Sequence, residues 1–426
     1  MSGRIGLLGC MLGLALTMPA AAQTAAWTVQ ILRPPGMPES AGTPVAPAAP
    51  GQGTPQQAQL GAAVKFVDGR LWIGSPGHQQ NGLRGGAVWI RALPGTGATS
   101  PAEPLLPSEP VDGLRYGAAI ATDDYSDYAA VLARPASAQT SPDRVWVHST
   151  QTPYTGARWM SLPPIDVTYG GGLSIFRTAV FVSRRSLVDG ELHAQVLIYH
   201  PWQDAQYRWV ETIELPTQGL PTDAYTGMGV EVAEEATTLS TWLVSGARVY
   251  EGLSTAAQFG YSHPLPLPMT PEGYGPHLLA QHRGLLLLNG HQAQAYLGRF
   301  FPLVDGTGWS TLYGGAEPEG FTIEGACKAV AFDDGHLACL RTDANGAYLL
   351  IAEKGGAAAP ELWGRIVGSA RVPVPASAFD PPVSLAISGP HVAIGWPRSG
   401  DEGGIVDAGM VVIMTLEGGL FSSGFE

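Results

Sequence analysis

A short pattern, a small residue followed by alternating hydrophobic residues, recurs seven times along this chain at nearly even spacing. Successive copies lie roughly 46 to 63 residues apart, a period typical of folds that repeat one four-stranded sheet. The copies are GAVWI from Gly86, DRVWV from Asp143, AQVLI from Ala194, ARVY from Ala247, AQAYL from Ala293, GAYLL from Gly346 and GMVVI from Gly409. The repeat therefore predicts one sheet per copy.

The composition favours short strands joined by turns. The 426 residues include 56 Gly and 36 Pro, only 14% are charged, and no long stretch has the apolar period of an amphipathic helix. We therefore predict an all-β fold, a seven-bladed β-propeller of four-stranded antiparallel sheets over residues 60–416. The blades are expected to start near residues 60, 116, 170, 227, 277, 325 and 383.

Tryptophans indicate the fourth strand of several copies, where they follow the recurring pattern by roughly a dozen residues or more. They are Trp159, Trp209, Trp309 and Trp363. The last copy ends too early to contain such a strand, while Trp27 opens a strand-like segment with no repeat before it. We therefore expect residues 23–33 to supply the outer strand of blade 7, which would remove an open sheet edge.

The ends of the chain predict export. Arg4, the apolar run 5–17 and the small residues 20–22 have the order of a signal peptide over residues 1–22, and the run is too short to be retained as a membrane span. The protein is thus expected in the periplasm, outside the cell or at its surface. Residues 34–59 are predicted to be a Pro/Ala/Gly-rich loop. Residues 417–426 form a C-terminal tail that is either a sorting signal or a frayed end.

The mature chain keeps two cysteines, Cys327 and Cys339, because Cys10 lies in the signal peptide. They flank a predicted hairpin with a three-residue turn at residues 333–335, which places both side chains on one face of the sheet. In an oxidising compartment such a pair can form a disulfide. The alternative is two small buried thiols.

Each clear copy has further parts before the recurring pattern. A first strand rich in small residues, such as 60–64, is followed by a tight turn and a second strand that ends in an apolar residue, a small residue, any residue and Pro. Residues 73–76 and 394–397 are examples. Small side chains suit the innermost strands, which converge near the axis of a propeller.

Residues 60–93 resemble an FG-GAP repeat, the unit of the integrin α-chain propeller and of many exported bacterial propellers. The apolar-Gly-x-Pro step and the Gly-x-Val-aromatic strand carry the likeness, which spans residues 27–416. The Phe that opens the family repeat is replaced, by Leu60 in the first copy and Tyr116 in the second. The resemblance implies a secreted propeller that binds a partner.

Charge and motifs exclude several classes of function. The net charge of −13, without a basic stripe, argues against nucleic acid as a partner. No alternating Asp loop for calcium, no His pairing for zinc and no nucleophile elbow occurs in the sequence. We therefore predict no metal, no cofactor, no catalytic residue and no transmembrane segment, and we expect a monomer.

What remains is a face of variable loops, where propellers usually hold their ligands. The candidate loops are 75–85, 184–193 and 396–408. Polar groups there could grip a partner and two rings could stack on it, although each can equally be an ordinary loop residue. The candidate residues are His78, Arg84, Arg184, Arg185, Trp396, Asp401 and Glu402.

The leading hypothesis is a secreted, non-enzymatic β-propeller that binds a protein or glycan through one loop face, in adhesion or at the cell envelope. One alternative is a polysaccharide lyase or hydrolase with acidic residues in the central funnel. The other is a structural scaffold without a small-molecule site.

Overall fold

A computed structural model describes residues 26–34, 57–93, 103–122, 127–135, 143–151, 158–161, 329–333, 336–343, 346–354, 363–372, 383–398 and 407–417, together with the strands given below for residues 173–324. All regular structure in these residues is β-strand. No helix in them could cross a membrane. The description below concerns these residues alone.

The strands are short and follow one another closely along the chain. In chain order they are β1 (Ala26–Leu32), β2 (Val64–Val67), β3 (Arg70–Ser75), β4 (Ala87–Ala92), β5 (Glu103–Leu105), β6 (Tyr116–Thr122), β7 (Tyr128–Ala133), β8 (Arg144–Ser149), β9 (Arg158–Ser161), β10 (Leu173–Phe176), β11 (Ala179–Val188), β12 (Glu191–Pro201), β13 (Tyr207–Leu215), β14 (Gly229–Glu235), β15 (Thr238–Ser245), β16 (Arg248–Leu253), β17 (Tyr261–Pro264), β18 (Leu279–His282), β19 (Leu285–Asn289), β20 (Gln294–Phe300), β21 (Trp309–Thr311), β22 (Ile323–Glu324), β23 (Ala329–Phe332), β24 (His336–Asp343), β25 (Gly346–Lys354), β26 (Trp363–Arg371), β27 (Ser384–Ser388), β28 (His391–Trp396) and β29 (Met410–Glu417).

Consecutive strands pair antiparallel into four-stranded sheets. We number the sheets along the chain: sheet 1 is β2–β5, sheet 2 is β6–β9, sheet 3 is β10–β13, sheet 4 is β14–β17, sheet 5 is β18–β21 with β22 added on β20, sheet 6 is β23–β26, and sheet 7 has the order β1-β29-β28-β27. The chain is therefore all-β, as its composition predicted.

The two sequence signals occupy constant places in these sheets. Every copy of the recurring pattern lies in a third strand, for example β4 after Gly86 and β29 after Gly409. The four tryptophans lie in fourth strands, Trp159 in β9, for example, and Trp209 in β13. A small residue followed by alternating hydrophobic residues thus marks a strand with neighbours on both edges.

Strand β1 pairs with β29, although almost the whole chain separates them. The pairing is antiparallel and runs from Ala26 opposite Glu417 to Leu32 opposite Val411. It gives β29 a partner on its outer edge, where sheet 7 would otherwise end. Val29 and Ile31 are 39% and 38% exposed, so β1 contributes mainly its backbone at these positions.

Close glycine contacts join neighbouring sheets and explain two of the sequence motifs. A Cβ atom on Gly74, in β3, would lie 2.1 Å from the carbonyl oxygen of Gly117 in β6. A Cβ atom on Gly395, in β28, would lie 2.2 Å from the carbonyl oxygen of Gly61 before β2. The glycine of the apolar-Gly-x-Pro step therefore packs on the glycine that opens the next first strand. The junction of sheets 7 and 1 repeats the junction of sheets 1 and 2.

The same two junctions share a second contact. Gly86 forms an isolated parallel bridge with Tyr116, and Gly409 forms one with Leu60. Both glycines have positive φ angles, +82° and +80°, which residues with a side chain rarely adopt. The small residue that opens the recurring pattern is thus required by the neighbouring sheet in these two copies.

Apolar side chains between the sheets form the core. One cluster joins sheets 6 and 7, another sheets 2 and 3, and a third sheets 1 and 2. A fourth joins sheet 1 to sheet 7, where Val64, Leu71 and Ile73 pack with Val411 and Ile413. The largest buried side chains pack between neighbouring sheets, and small residues lie where two sheets approach each other most closely.

The hairpin of sheet 6 corrects one prediction. Phe332 pairs with Leu337, and the Asp333 amide donates to the carbonyl oxygen of His336 at 3.0 Å, so the register of the hairpin differs from the one expected for a three-residue turn at residues 333–335. In this register Cys339 lies opposite Val330. The sequence argument that Cys327 and Cys339 share one face of the sheet depended on a three-residue turn, and it does not hold for this register.

Cys339 is fully buried and disulfide-bonded. Its predicted partner, Cys327, lies outside the described residues, so their pairing stays a prediction.

Candidate functional site

Two ends of the sheets can be distinguished by the chain direction. Tight turns such as 68–69 and 389–390 join first to second strands at one end, which we call the turn face. Connections from second to third strands, and from one sheet to the next, lie at the other end. We call this end the loop face; its described parts include 57–60, 76–86, 106–115, 134–135 and 407–409.

Hydrogen bonds fix the loop that joins β3 to β4. The Ser75 hydroxyl and the Gly77 amide both donate to the carbonyl oxygen of Ala58, at 2.8 and 3.1 Å. At its tip, Gln80 and Leu83 exchange backbone hydrogen bonds of 2.9 Å across a turn. The loop is therefore held by backbone contacts on both sides, and its side chains are presented from a fixed frame.

A pocket of about 170 Å³ opens between this loop and the segment that leads from sheet 1 to sheet 2. Its walls are mostly apolar, and amide side chains and one imidazole supply the polar groups. The lining residues are His78, Gln80, Asn81, Leu83, Gly85, Gly86, Leu106, Pro107 and Pro110.

His78 is the most buried polar side chain of the pocket, with 4% of its surface exposed. Its ring meets the Trp89 ring edge to face at 5.2 Å between centroids. Burial lowers the pKa of His78 below its ordinary value, so the imidazole is neutral near pH 7 and offers one N–H donor and one acceptor nitrogen. Within the described residues neither ring nitrogen has a hydrogen-bond partner.

Apolar side chains continue the pocket onto the surface. Leu83, at the pocket, and Val111, on the next segment, are each 40% exposed, and they are among the few large hydrophobic residues of the described chain that reach solvent to this extent. Exposed apolar groups beside a pocket are a frequent mark of a binding surface.

Arg84 ties together three segments of the loop face. Its backbone amide donates to the Asp112 carboxylate at 3.0 Å, and its guanidinium donates to the Gln57 side-chain oxygen at 2.7 Å. The Gly113 amide donates to the Arg84 carbonyl oxygen at 3.1 Å. These hydrogen bonds hold the three segments together. Because the Arg84 side chain is exposed, it can also contact a partner.

A second arginine acts similarly between sheets. Arg115 donates to the side-chain oxygen of Gln59 at 2.9 Å. Burial, and then the positive charge of Arg134, lowers the pKa of Arg115. Arg134 itself pairs with Asp143 at 3.2 Å across the next loop. The arginines at the loop face of sheets 1 and 2 therefore lie beside acids or amide oxygens that hold them in place.

The other predicted site residues do not join this pocket. Trp396 is 1% exposed and packs in the core of sheets 6 and 7, so the expectation that its ring stacks on a partner is wrong for this structure. It lies two positions after the buried Ile394 on one strand, and alternation directs both side chains to the same face. Asp401 and Glu402 lie outside the described residues.

The predicted loop 184–193 is largely strand. Arg184 and Arg185 belong to β11, where they pair with Gln195 and Ala194, and β11 extends to Val188 opposite Glu191. The sequence predicts a loop between second and third strands here, whereas the structure forms a long hairpin of β11 and β12.

Sequence reasoning missed the segment that completes the pocket. Leu106, Pro107 and Pro110 follow the short strand β5, in a connection that was not among the candidate loops. Three prolines and an exposed Glu in residues 104–110 were the available signal, because prolines fix a connection in one shape. Within the described residues, no group of three or more His, Cys, Asp or Glu side chains could hold a metal ion.

No protein-family model matches the chain, and no curated protein sequence does. Solved structures of other proteins do match the chain. A chain of the mitotic checkpoint complex is 10% identical, with a TM-score of 0.50, and the match covers 97% of this chain and 99% of that one. The β-propeller domain of Cps50 (Swd1) from Myceliophteria thermophila is 13% identical, with a TM-score of 0.51, over 86% of this chain and 97% of that domain.

These likenesses, together with the four-stranded antiparallel sheets, show the fold. The chain is a β-propeller. At such low identity the similarity extends to the architecture alone, and what this propeller binds has to be argued from its own residues.

Proposed function

We propose that this chain is an exported, non-enzymatic β-propeller of the FG-GAP type that binds a protein or glycan partner through its loop face. The observation that carries the proposal is the pocket between residues 76–86 and 106–110, with exposed apolar residues at its edge. The partner meets a surface that is already ordered, so little conformational entropy is lost on binding.

The proposal includes a ring of seven blades, closed where β1 pairs with β29. Its support is the repetition of one junction: Gly395 meets Gly61 as Gly74 meets Gly117. Sheets 7 and 1 also share an apolar cluster, as sheets 1 and 2 do. A closed ring has no open sheet edge, and it holds the loops of neighbouring blades at fixed distances.

Export and a non-catalytic role complete the proposal. The signal-peptide order of residues 1–22 and the disulfide at Cys339 both suit an oxidising compartment outside the cytoplasm. The polar side chains that line the pocket are one imidazole and two amides, and no carboxylate is among its described lining residues to act as a catalytic partner of the imidazole.

Site-specific photo-crosslinking in the native host tests the proposal. A photoreactive residue replaces Val111 on the loop face, and in a matched variant it replaces the exposed Asp68 on the turn face. We expect a discrete crosslinked protein or glycan from position 111 and none from position 68. Equal products from both positions, or none from position 111, would refute binding by the loop face.

A further inference from the structure

We propose that the pocket at His78 binds one aromatic side chain of a partner protein, with a tyrosine hydroxyl directed at the imidazole. This inference rests on the proposed binding role of the loop face and narrows it, because it selects a protein ligand over a glycan. It follows from the pocket's size, from the polarity of its walls and from the position of its most buried polar group.

The size of the pocket fits a single ring. An apolar cavity of about 150 Å³ is large enough to hold one benzene molecule. The pocket here measures about 170 Å³, and it is open to solvent at the edge where Leu83 is 40% exposed. A ring on a flexible stem can therefore enter while the backbone that carries it stays outside.

The walls favour an aromatic ring over a sugar ring of similar size. Leu83, Leu106, Pro107 and Pro110 provide carbon surfaces, and the polar side chains of the lining are His78 and the amides Gln80 and Asn81. A sugar carries a hydroxyl on nearly every ring carbon, and each hydroxyl left unpaired against an apolar wall loses the hydrogen bonds it made with water.

The imidazole supplies the polar preference within the pocket. His78 is 4% exposed, it lines the pocket, and its ring nitrogens have no hydrogen-bond partner within the described residues. They are not among the buried atoms that lack a partner, so the pocket leaves them open to water. A ligand that fills the pocket displaces this water, and the ring nitrogen that it covers then needs a partner on the ligand. A neutral imidazole can accept from a phenol hydroxyl or donate to it, whereas a phenylalanine ring leaves it unpaired.

Gln80 and Asn81 stand at the turn of the same loop, and they can hydrogen-bond the backbone of the incoming segment. The turn is fixed by the Gln80–Leu83 backbone pair and by positive φ angles at Asn81 and Gly82. The site thus combines an apolar pocket for one side chain with amides for the main chain beside it, a frequent arrangement in peptide recognition.

Titration of the full-length protein with small probes, followed by NMR, tests the inference. The probes are p-cresol, toluene and methyl β-glucoside, added to millimolar concentration. We expect saturable binding of p-cresol about fivefold tighter than that of toluene, because one neutral hydrogen bond contributes about 1 kcal/mol. The glucoside is expected not to saturate the site.

Three variants localise the site. Leu83→Ser removes part of the apolar wall and should weaken p-cresol binding at least threefold. Val29→Ser is the matched control, because Val29 is 39% exposed but lies on β1 of sheet 7, outside the pocket lining, and it should leave binding unchanged. Gly85→Ala adds a methyl group that makes ordinary contact with Pro110 at 3.5 Å, and it should weaken binding by narrowing the pocket.

His78→Leu tests the imidazole, since it should remove the preference for p-cresol over toluene while apolar binding remains. If that variant does not fold, the two wall variants and the probe series still decide. Absence of saturable p-cresol binding, equal affinity for toluene, preference for the glucoside, or indifference to Leu83→Ser would each overturn the inference. The crosslinking result at position 111 is independent of these outcomes, so failure of the pocket and failure of the loop face are distinguishable.

Discussion

Tyr116 and His148 form a hydrogen bond of 2.6 Å, between Oη and Nε2, in the interior at the junction of sheets 1 and 2. Both side chains are 0% exposed. The rings of Trp72 and Trp146 pack on them edge to face. The Nδ1 atom of His148 is buried and has no partner within the described residues. The pair is therefore a polar element of the core, distinct from the pocket at His78.

This burial predicts a pH dependence of stability. Desolvation lowers the pKa of His148 to about 4 in the folded protein, against 6.5 in the unfolded chain. As the pH falls from above 6.5 towards 4, the unfolded state takes up a proton that the folded state refuses, so the free energy of unfolding decreases. The full loss from this group is about 3 kcal/mol.

Urea unfolding at several pH values between 7 and 4 measures this effect. The wild type should lose more stability across this range than His148→Gln, which has no group to titrate at this position. The lowered pKa values of His78 and His391 act in the same direction in both proteins and cancel in the comparison. Identical pH profiles for the two proteins would contradict the assignment.

The glycine junctions predict that two distant substitutions have similar effects. Gly74→Ala and Gly395→Ala each place a Cβ atom within about 2 Å of a backbone oxygen of the neighbouring sheet, so the sheets must separate. We expect each to lower the free energy of unfolding by about 3 kcal/mol in thermal or urea unfolding.

Gly85→Ala is the control for these variants, because its Cβ atom would find ordinary contacts at 3.5 Å and beyond. Its stability should remain within about 0.5 kcal/mol of the wild type. A mild effect at Gly395 beside a severe one at Gly74 would mean that sheets 7 and 1 do not meet as sheets 1 and 2 do.

Asp333 joins the turn faces of sheets 6 and 7. One carboxylate oxygen accepts from the Gly389 amide at 2.8 Å, and the other accepts from the His336 amide at 2.8 Å. Because hydrogen bonds to a charged acceptor are the stronger kind, Asp333→Ala should lower the free energy of unfolding by about 2 kcal/mol. Asp333→Asn keeps one acceptor oxygen, so its free energy of unfolding should lie between those of the wild type and Asp333→Ala. Urea unfolding that ranks Asn below Ala would contradict this account.

The repeating parts of the fold could be predicted from the sequence because they follow a period. The pattern after Gly86 and its counterparts marks third strands, and Trp159 and Trp209 mark fourth strands, since each position sees the same neighbours in every sheet. The residues of the glycine junctions were noted only as small. That Gly61 contacts Gly395 depends on which sheets are neighbours, and no local pattern contains this information.

The candidate site was predictable only in part. His78 and Arg84 lie in a loop whose length and polarity stand out, and the structure brings both to the loop face. Pro107 and Pro110 come from a separate connection, and only the approach of two segments makes a pocket of them. Trp396 was misjudged because it precedes a proline and a loop, whereas strand alternation from Ile394 places it in the core.

Deletion of residues 26–32 measures most directly whether one closed ring underlies the binding face. The deletion removes β1 and leaves the outer edge of β29 without its partner. We predict a melting temperature lower by about 10 °C and loss of the crosslink from position 111. The control Val29→Thr, at an exposed position of β1, should behave as the wild type. A truncated protein that melts with the wild type and still forms the crosslink would contradict the account.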